Sequence, residues 1–143
     1  MADVAQILTI AAAGTVQAAA GTVTGQGQVF RRPFSQADVQ INVTAAATLV
    51  GDTLDVFVDT SYDGGATWVN LGHCTQVLGN GGVKRFILTL GPAVGGATSV
   101  QDASVDAAVG ATRQIGLGDR LRYRGVVVGT GSFTFGISAY LKP

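Results

Sequence analysis

The feature that most constrains the fold of this chain is a two-residue alternation of apolar and polar side chains that begins near residue 37. In DVQINVT, Val39, Ile41 and Val43 share one face and polar side chains occupy the other. The same alternation recurs in TLDVFVDT, VKRFILTL, DRLRYRGVVVG and SFTFGISAYL. Successive side chains point to opposite faces of a strand, so each segment predicts a β-strand with one buried face. No stretch carries the apolar stripe and caps of a helix.

The predicted fold class is all-β, an antiparallel β-sandwich that is jelly-roll-like and has an extended N-terminal arm. The 21 glycines and the regular spacing of turn signals support this class, and 143 residues suit one domain. We assign 28–143 to the sandwich and 1–27 to the arm, which is expected to hold one or two short strands. Its repeat, AAAGTVQ followed by AAAGTVT, contains two glycines and β-branched pairs that disfavour a helix.

Residues 91–112 form a long segment with weak alternation, and we predict a loop. Loops of this length inside a compact domain are commonly functional, disordered or folded onto a neighbour. Together with the arm, the loop is the expected interaction region. The candidate partner contacts in these two segments are the apolar residues Ile7, Leu8, Ile10, Val94, Val100 and Val105.

Charged residues make up only 13% of the chain, and nine Lys and Arg balance nine Asp. A chain without net charge has no overall field that attracts nucleic acid or an anionic membrane, so neither is an expected partner. The N-terminal apolar run lacks a basic start and is interrupted by Thr, Gln and Gly, which is unlike a signal peptide or a membrane span. We therefore expect synthesis in a cytoplasm, followed by assembly with other protein.

The stretch SYDGGATW, residues 61–68, resembles the Asp-box turn of sialidases and other propeller proteins. A propeller needs at least four blades of about forty residues, and this box occurs once in a shorter chain. In the proteins that it resembles, the box is a scaffold turn away from the chemistry. We therefore predict a structural hairpin turn, in which the following residues take part: Asp63, Gly64, Gly65, Thr67 and Trp68.

No catalytic, metal-binding or cofactor-binding residues are predicted. The only histidine, His73, lies on a predicted strand, and with Cys74 it gives too few ligands for zinc. Glutamate is absent, so a glycosidase pair would have to be two aspartates such as Asp55 and Asp59. Their spacing along one strand face is also that of a solvated surface. The sequence predicts a protein that is not an enzyme.

Arg120, Arg122 and Arg124 share one strand face, where like charges repel unless something neutralises them. Asp55 and Asp59 could do this within the chain. An acidic surface on a protein partner is a second interpretation, because guanidinium groups bind carboxylates bidentately. Nucleic acid is a third. The three arginines are accordingly candidate partner contacts.

Two stretches, TLDVFVDTSYDGGATWVNLGH and GDRLRYRGVVVGTGSFTFGISAYL, together resemble small virion proteins of tailed bacteriophages. The resemblance covers about residues 37–90 and 117–141, and the order of arm, sheet with DG turn, and closing hairpin also matches. It implies a jelly-roll-like capsid decoration or cement protein on the capsid surface of the virion. Its partners would be the major capsid protein and neighbouring copies of itself, in a dimer or trimer.

The same resemblance leaves a tail or neck structural protein as an alternative. A rival from another class is a carbohydrate-binding module of a tail or fibre, in which Trp68 and Tyr62 would form a stacking platform for sugars. Specific glycan binding that depends on Trp68 separates this rival from a capsid protein.

Overall fold

The computed structural model describes residues 4–18, 20–91 and 102–143, and this part of the chain is all-β without a helix. Two antiparallel sheets pack face to face as a β-sandwich, which confirms the predicted fold class at this level. The first sheet has the strand order β1-β11-β4-β8, and the second has β2-β10-β5-β6-β9 with β3 and β7 added. The strands are β1 Gln6–Gln17, β2 Gly21–Thr24, β3 Gln28–Val29, β4 Gln36–Ala45, β5 Thr53–Ser61, β6 Val69–His73, β7 Val77–Leu78, β8 Lys84–Leu90, β9 Ala111–Thr112, β10 Arg120–Val128 and β11 Phe133–Lys142.

The core lies between the sheets and is built from every second residue of the long strands. The alternation read from the sequence therefore places the correct faces inward in β4, β5, β8, β10 and β11. Small and branched side chains fill most of the space, and aromatic rings complete it. The core members include Val39, Ile41, Val43, Leu54, Val56, Val58, Leu88, Leu90, Leu121, Phe133, Phe135 and Ile137.

The N-terminal segment differs from the expected separate arm. It is extended, but from Gln6 to Gln17 it is an edge strand of the first sheet, hydrogen-bonded to β11. Leu8 and Ile10 are buried in the core of the same chain, so they do not contact a partner, and this part of the prediction is wrong. The physical reason is the alternation of these two residues with Ile7 and Thr9, which gives β1 one apolar face that the sandwich buries.

The two copies of the AAAGTV repeat lie in different sheets. The first copy ends β1, and the second contributes β2, which pairs with β10. Gly14 and Gly21 occupy equivalent places in the repeat, and both adopt a positive φ, 80° and 118°. Between them, the Nε2 of Gln17 donates to the carbonyl groups of Gly21 at 3.1 Å and Gly125 at 2.9 Å. The buried amide of Gln17 therefore links the connection between β1 and β2 to β10.

The loop prediction for residues 91–112 is tested only from residue 102 onward, and Val94 and Val100 lie outside the described residues. The described part has no strand before the two-residue β9, which pairs with β6. Arg113, Ile115 and Leu117 alternate with other residues in the sequence, but residues 113–119 form no strand. Instead this stretch is attached to its neighbours by single backbone hydrogen bonds, such as Arg113 N–H to the Leu71 carbonyl.

The placement of β1 predicts that two substitutions on opposite faces of the strand have unequal effects on stability. Ile10→Ala removes a buried side chain and should lower the free energy of unfolding by about 2–5 kcal/mol. Ile7→Ala removes a side chain that is 76% exposed and should change it by less than about 0.5 kcal/mol. Urea unfolding of both variants measures the difference. Equal, small effects would mean that residues 6–17 are not part of the cooperative sandwich.

Candidate functional site

The SYDGGATW turn between β5 and β6 is closed by its own side chains. The Asp63 carboxylate accepts the Thr67 backbone N–H at 2.8 Å and the Thr67 hydroxyl at 2.6 Å. The Ser61 hydroxyl accepts the Gly65 N–H at 2.8 Å, and Gly64 and Gly65 have φ of 73° and 95°. The Ser61 hydroxyl also donates to Asp63 at 2.9 Å. The Thr67 hydroxyl first, then the Thr67 N–H and the Ser61 hydroxyl, lower the pKa of Asp63 to about 2. All five residues predicted for the turn lie in the connection between β5 and β6.

The aromatic residues of this turn are already engaged within the chain. The guanidinium of Arg122 stacks on the Trp68 ring at 4.4 Å from its centroid. On another side the ring lies so close to Gly27 that a Cβ there would be 2.6 Å from it. Tyr62 is 55% exposed, and its hydroxyl donates to the Gly116 carbonyl. Trp68 is therefore not an open platform on which a sugar ring could stack.

Asp59 neutralises the arginine ladder on the outer face of the second sheet. It is 1% exposed and accepts hydrogen bonds from Arg122 Nε at 3.0 Å and Arg124 Nε at 2.7 Å. Asn70 Nδ2 donates to the same carboxylate at 3.1 Å. Burial disfavours the charge of Arg124, but the carboxylates of Asp59 and Asp106 together outweigh burial and raise the pKa of Arg124. Arg120, the third member, pairs with the exposed Asp119 at 3.0 Å.

Residues 102–112 cover this ladder like a strap. Asp106 accepts from Arg124 Nη2 at 2.7 Å, and the Ala107 N–H donates to Asn70 Oδ1 at 2.8 Å. The Gly110 N–H donates to the His73 carbonyl at 2.8 Å. The described part of the loop therefore packs against the second sheet of its own chain. Val105 in this strap is exposed, and its carbonyl accepts from Arg113.

The residues considered for acid–base or metal chemistry are held in structural contacts. His73 stacks on Phe57 at 4.0 Å between ring centroids, and its Nε2 lies 2.7 Å from Asp55 Oδ1. Asp55 also accepts from Gln76 at 2.8 Å, so it does not join Asp59 in neutralising the arginines. Cys74 is buried, and burial raises the pKa of its thiol to about 11. The described residues contain no group of three or more His, Cys, Asp or Glu that could hold a metal ion.

The outer face of the first sheet is open, in contrast to the covered face of the second. Ile7, Ile87 and Tyr140 are 76%, 66% and 47% exposed. They surround an open depression of about 300 Å³ whose floor includes the small polar side chains of Gln40 and Ser138. We call this the outer-face depression. Exposed apolar side chains that share one face of a sheet are a feature of surfaces that bind other proteins.

Few charges interrupt this face. Asp38 binds Lys142 at 2.6 Å, and that hydrogen bond lowers the pKa of the carboxyl. Arg85 Nε donates to Asn42 at 3.0 Å. Lys84, the exposed first residue of β8, pairs with the buried Val43 and therefore lies on the core-facing side of the strand. A partner on this face meets mainly apolar and neutral polar groups, with the cation of Arg85 near the start of β8.

Only part of this surface was among the candidate contacts named from the sequence. Ile7 lies on it, whereas the candidate arginines lie on the opposite side of the sandwich. Ile87 and Tyr140 were missed as contacts, although the alternation had placed both on the polar face of their strands. A large apolar side chain at a polar-face position was the signal that could have found them.

Comparison of the chain with protein-family models, curated proteins and solved structures finds no match. Within the part of the chain that the structure describes, there is no helix of the length and apolar character that would span a membrane.

The clamp on Asp59 predicts a large effect of removing one charge. Asp59→Asn leaves Arg122 and Arg124 partly buried without their carboxylate, and should lower the free energy of unfolding by about 3 kcal/mol. Asp119→Asn breaks an exposed pair with Arg120 and should cost less than about 1 kcal/mol. Chemical denaturation measures both. A cost for Asp59→Asn no larger than that of Asp119→Asn would contradict the clamp.

The Asp63 turn predicts a specific titration. Because the folded-state pKa is about 2 against an ordinary 3.8, the stabilisation from this carboxylate is complete above 3.8 and is lost as the pH falls toward 2. Carbon-detected NMR should show the low pKa directly. Thr67→Val removes the hydroxyl donor and should move the pKa of Asp63 up toward 3.8, whereas Thr44→Val, on a remote strand, should leave it unchanged. An unmoved pKa in Thr67→Val would refute the assigned cause.

Proposed function

We propose that the sandwich is a jelly roll and that the protein is a capsid decoration or cement protein of a tailed bacteriophage. Strand pairing supports the fold assignment. Eight strands of the described chain have four or more residues. The first of them pairs with the last (β1 with β11), and β2 pairs with β10. Moving inward, β4 pairs with β8 and β5 with β6. This is one long hairpin wrapped into two sheets, the architecture of many viral capsid and lectin domains.

This wrapped pairing is the observation that carries the proposal. The resemblance of residues 37–90 and 117–141 to small phage virion proteins implies a jelly roll. The strand order is a separate observation that supports the same architecture. His73, Asp55 and Asp59 all form hydrogen bonds with other side chains of the same chain, so these three groups stabilise the fold. We infer that the protein acts by binding other protein and not by catalysis.

The binding surface that we assign is the outer face of the first sheet, around the outer-face depression. Tyr140 and Ile7 are neighbours across β1 and β11, and aromatic side chains with part of their surface exposed are common binding hot spots. This assignment replaces the arm, because β1 is part of the sandwich. The protein would bind and bridge subunits of the major capsid protein and stabilise the head. Many copies on a symmetric shell would turn modest affinity per site into firm attachment.

The alternatives differ in the support they have. A tail or neck structural protein would use the same face, so the architecture favours neither location. A carbohydrate-binding module would need an open aromatic platform, and Arg122 occupies a face of Trp68. We propose the capsid surface of the virion as the location because the sequence resemblance implies a capsid decoration or cement protein.

Binding to phage heads that lack this protein tests the proposal. The purified protein should bind saturably, with a fixed number of copies per head, and raise the temperature at which heads disrupt. Tyr140→Asp places a charge on the binding face and should weaken binding at least about 10-fold, which is about 1.4 kcal/mol. Tyr62→Asp is the matched control, because Tyr62 is similarly exposed on the other side of the molecule.

Four results would overturn the assignment. Absence of head binding removes the capsid role, and binding only to tails supports the tail alternative. Specific glycan binding that Trp68→Ala abolishes supports the carbohydrate-binding module. Equal loss of head binding in Tyr140→Asp and Tyr62→Asp would show that the outer face of the first sheet is not the binding surface.

A further inference from the structure

The strand β8 is a regular sheet edge that pairs on one side only within the described chain. Its register with β4 runs from Lys84 to Leu90 without a bulge. In an antiparallel sheet, alternate residues of an edge strand point their N–H and C=O groups away from the sheet. Over seven residues, this edge offers a row of hydrogen-bonding groups about 23 Å long.

The opposite edge of the same sheet is irregular. The pairing of β1 with β11 has register shifts between Thr9 and Ala11 and between Ala11 and Thr15, and Gly14 has a positive φ. Bulges of this kind twist an edge and hinder the addition of another strand. The two edges of the first sheet are therefore unequal, and β8 is the one suited to pairing.

We propose that β8 is a self-association edge, at which two copies of this chain pair antiparallel about a two-fold axis through Ile87. Centring the pair on Ile87 is the only two-fold register that uses all seven residues of the strand. Ile87, 66% exposed in one chain, then lies directly opposite the same residue of the second copy. An isologous pair of this kind closes on itself, so it yields a dimer and not a fibre.

The outer-face side chains are complementary in this register. Arg85 lies opposite Thr89 of the second copy, and Thr89 is the cross-strand neighbour of Asp38 within its own chain. Two strand spacings, about 10 Å, separate Arg85 from the Asp38 of the other copy, within reach of an extended arginine. Lys84 lies opposite Leu90, so no two cations face each other. Each copy thus directs Arg85 toward Asp38 of the other, where it would join the ion pair of Asp38 with Lys142 of that copy. This complementarity is the reason that a second copy is the occupant we assign.

The core-facing side of β8 also gains from pairing. Phe86 is only partly buried in one chain, and the register places it opposite Leu88 of the second copy. Beside these two residues a cleft of about 280 Å³ separates β8 from the strand β9 of the second sheet. Bringing two such edges together covers both Phe86 rings. This adds apolar burial to the backbone hydrogen bonds.

Self-association at β8 is tested separately from the proposed capsid function, although Ile87 also lines the outer-face depression. Tyr140 and Ile7, to which we assign capsid binding, lie at the other side of the sheet. Failure of head binding therefore leaves the dimer intact, and failure of the dimer leaves head binding to be measured separately.

Sedimentation equilibrium over a range of concentrations tests the proposal. The wild-type mass should rise to twice that of one chain. Ile87→Lys places two cations directly opposite each other at the axis and should weaken self-association at least about 100-fold. Ile7→Lys is the matched control, because Ile7 is equally exposed on the same face but at the other edge, and it should behave as wild type.

A cysteine pair checks the register. Paired residues in an antiparallel sheet have Cβ atoms about 4.5–5.5 Å apart, so mild oxidation of Ile87→Cys should give a disulfide-linked dimer, and oxidation of Ile7→Cys should not. The buried Cys74 of each chain is not accessible to this reaction. A monomeric wild type, equal effects of Ile87→Lys and Ile7→Lys, a higher oligomer, or equal cross-linking at both positions would each overturn the proposal. Circular dichroism of every variant confirms that the exposed substitutions leave the fold unchanged.

Discussion

Burial of alternate side chains between two sheets is the constraint on which the rest of the molecule depends. Tyr123 of the second sheet meets Phe135 of the first edge-to-face, with 5.8 Å between ring centroids, and small branched residues such as Val39 and Val56 surround them. Because most of these strands contribute every second residue to this layer, their remaining residues must lie on one of two outer faces. The functional questions about this protein are therefore questions about what covers each outer face.

The outer face of the second sheet is covered by a segment of the chain itself, whereas the outer face of the first sheet is exposed. The second sheet carries a buried carboxylate, Asp59, with Arg122 and Arg124, and such groups are costly unless every charge is paired. The chain meets that requirement with its own strap, whose Asp106 and Ala107 complete the polar contacts. The first sheet has a mostly neutral outer face that needs no such cover. It is left open, and that asymmetry is why we assign binding to the first sheet.

The sequence predicted what depends on local periodicity and missed what depends on distant pairing. The alternation gave the inward faces of the long strands, and SYDGGATW gave its own turn, because both are local. β1 was misread since Leu8 and Ile10 are followed by a run of alanines, which carry almost no amphipathic signal. The local sequence pattern also could not show which carboxylate neutralises the arginines. Asp55 and Asp59 share a face, but β10 places Arg122 directly opposite Asp59, and His73 engages Asp55.

Pairing through β8 and binding through the outer face of the first sheet fit each other geometrically. A two-fold axis that continues a sheet is perpendicular to that sheet, so both copies present the same outer face to the same side. Two outer-face depressions would then flank the axis, with the Ile87 pair between them. A dimer of this form presents two equal sites to a surface that itself repeats by symmetry, and the second contact forms at high effective concentration once the first is made. Neither contact has to be strong by itself, which is consistent with a surface that has few charges and only scattered apolar side chains.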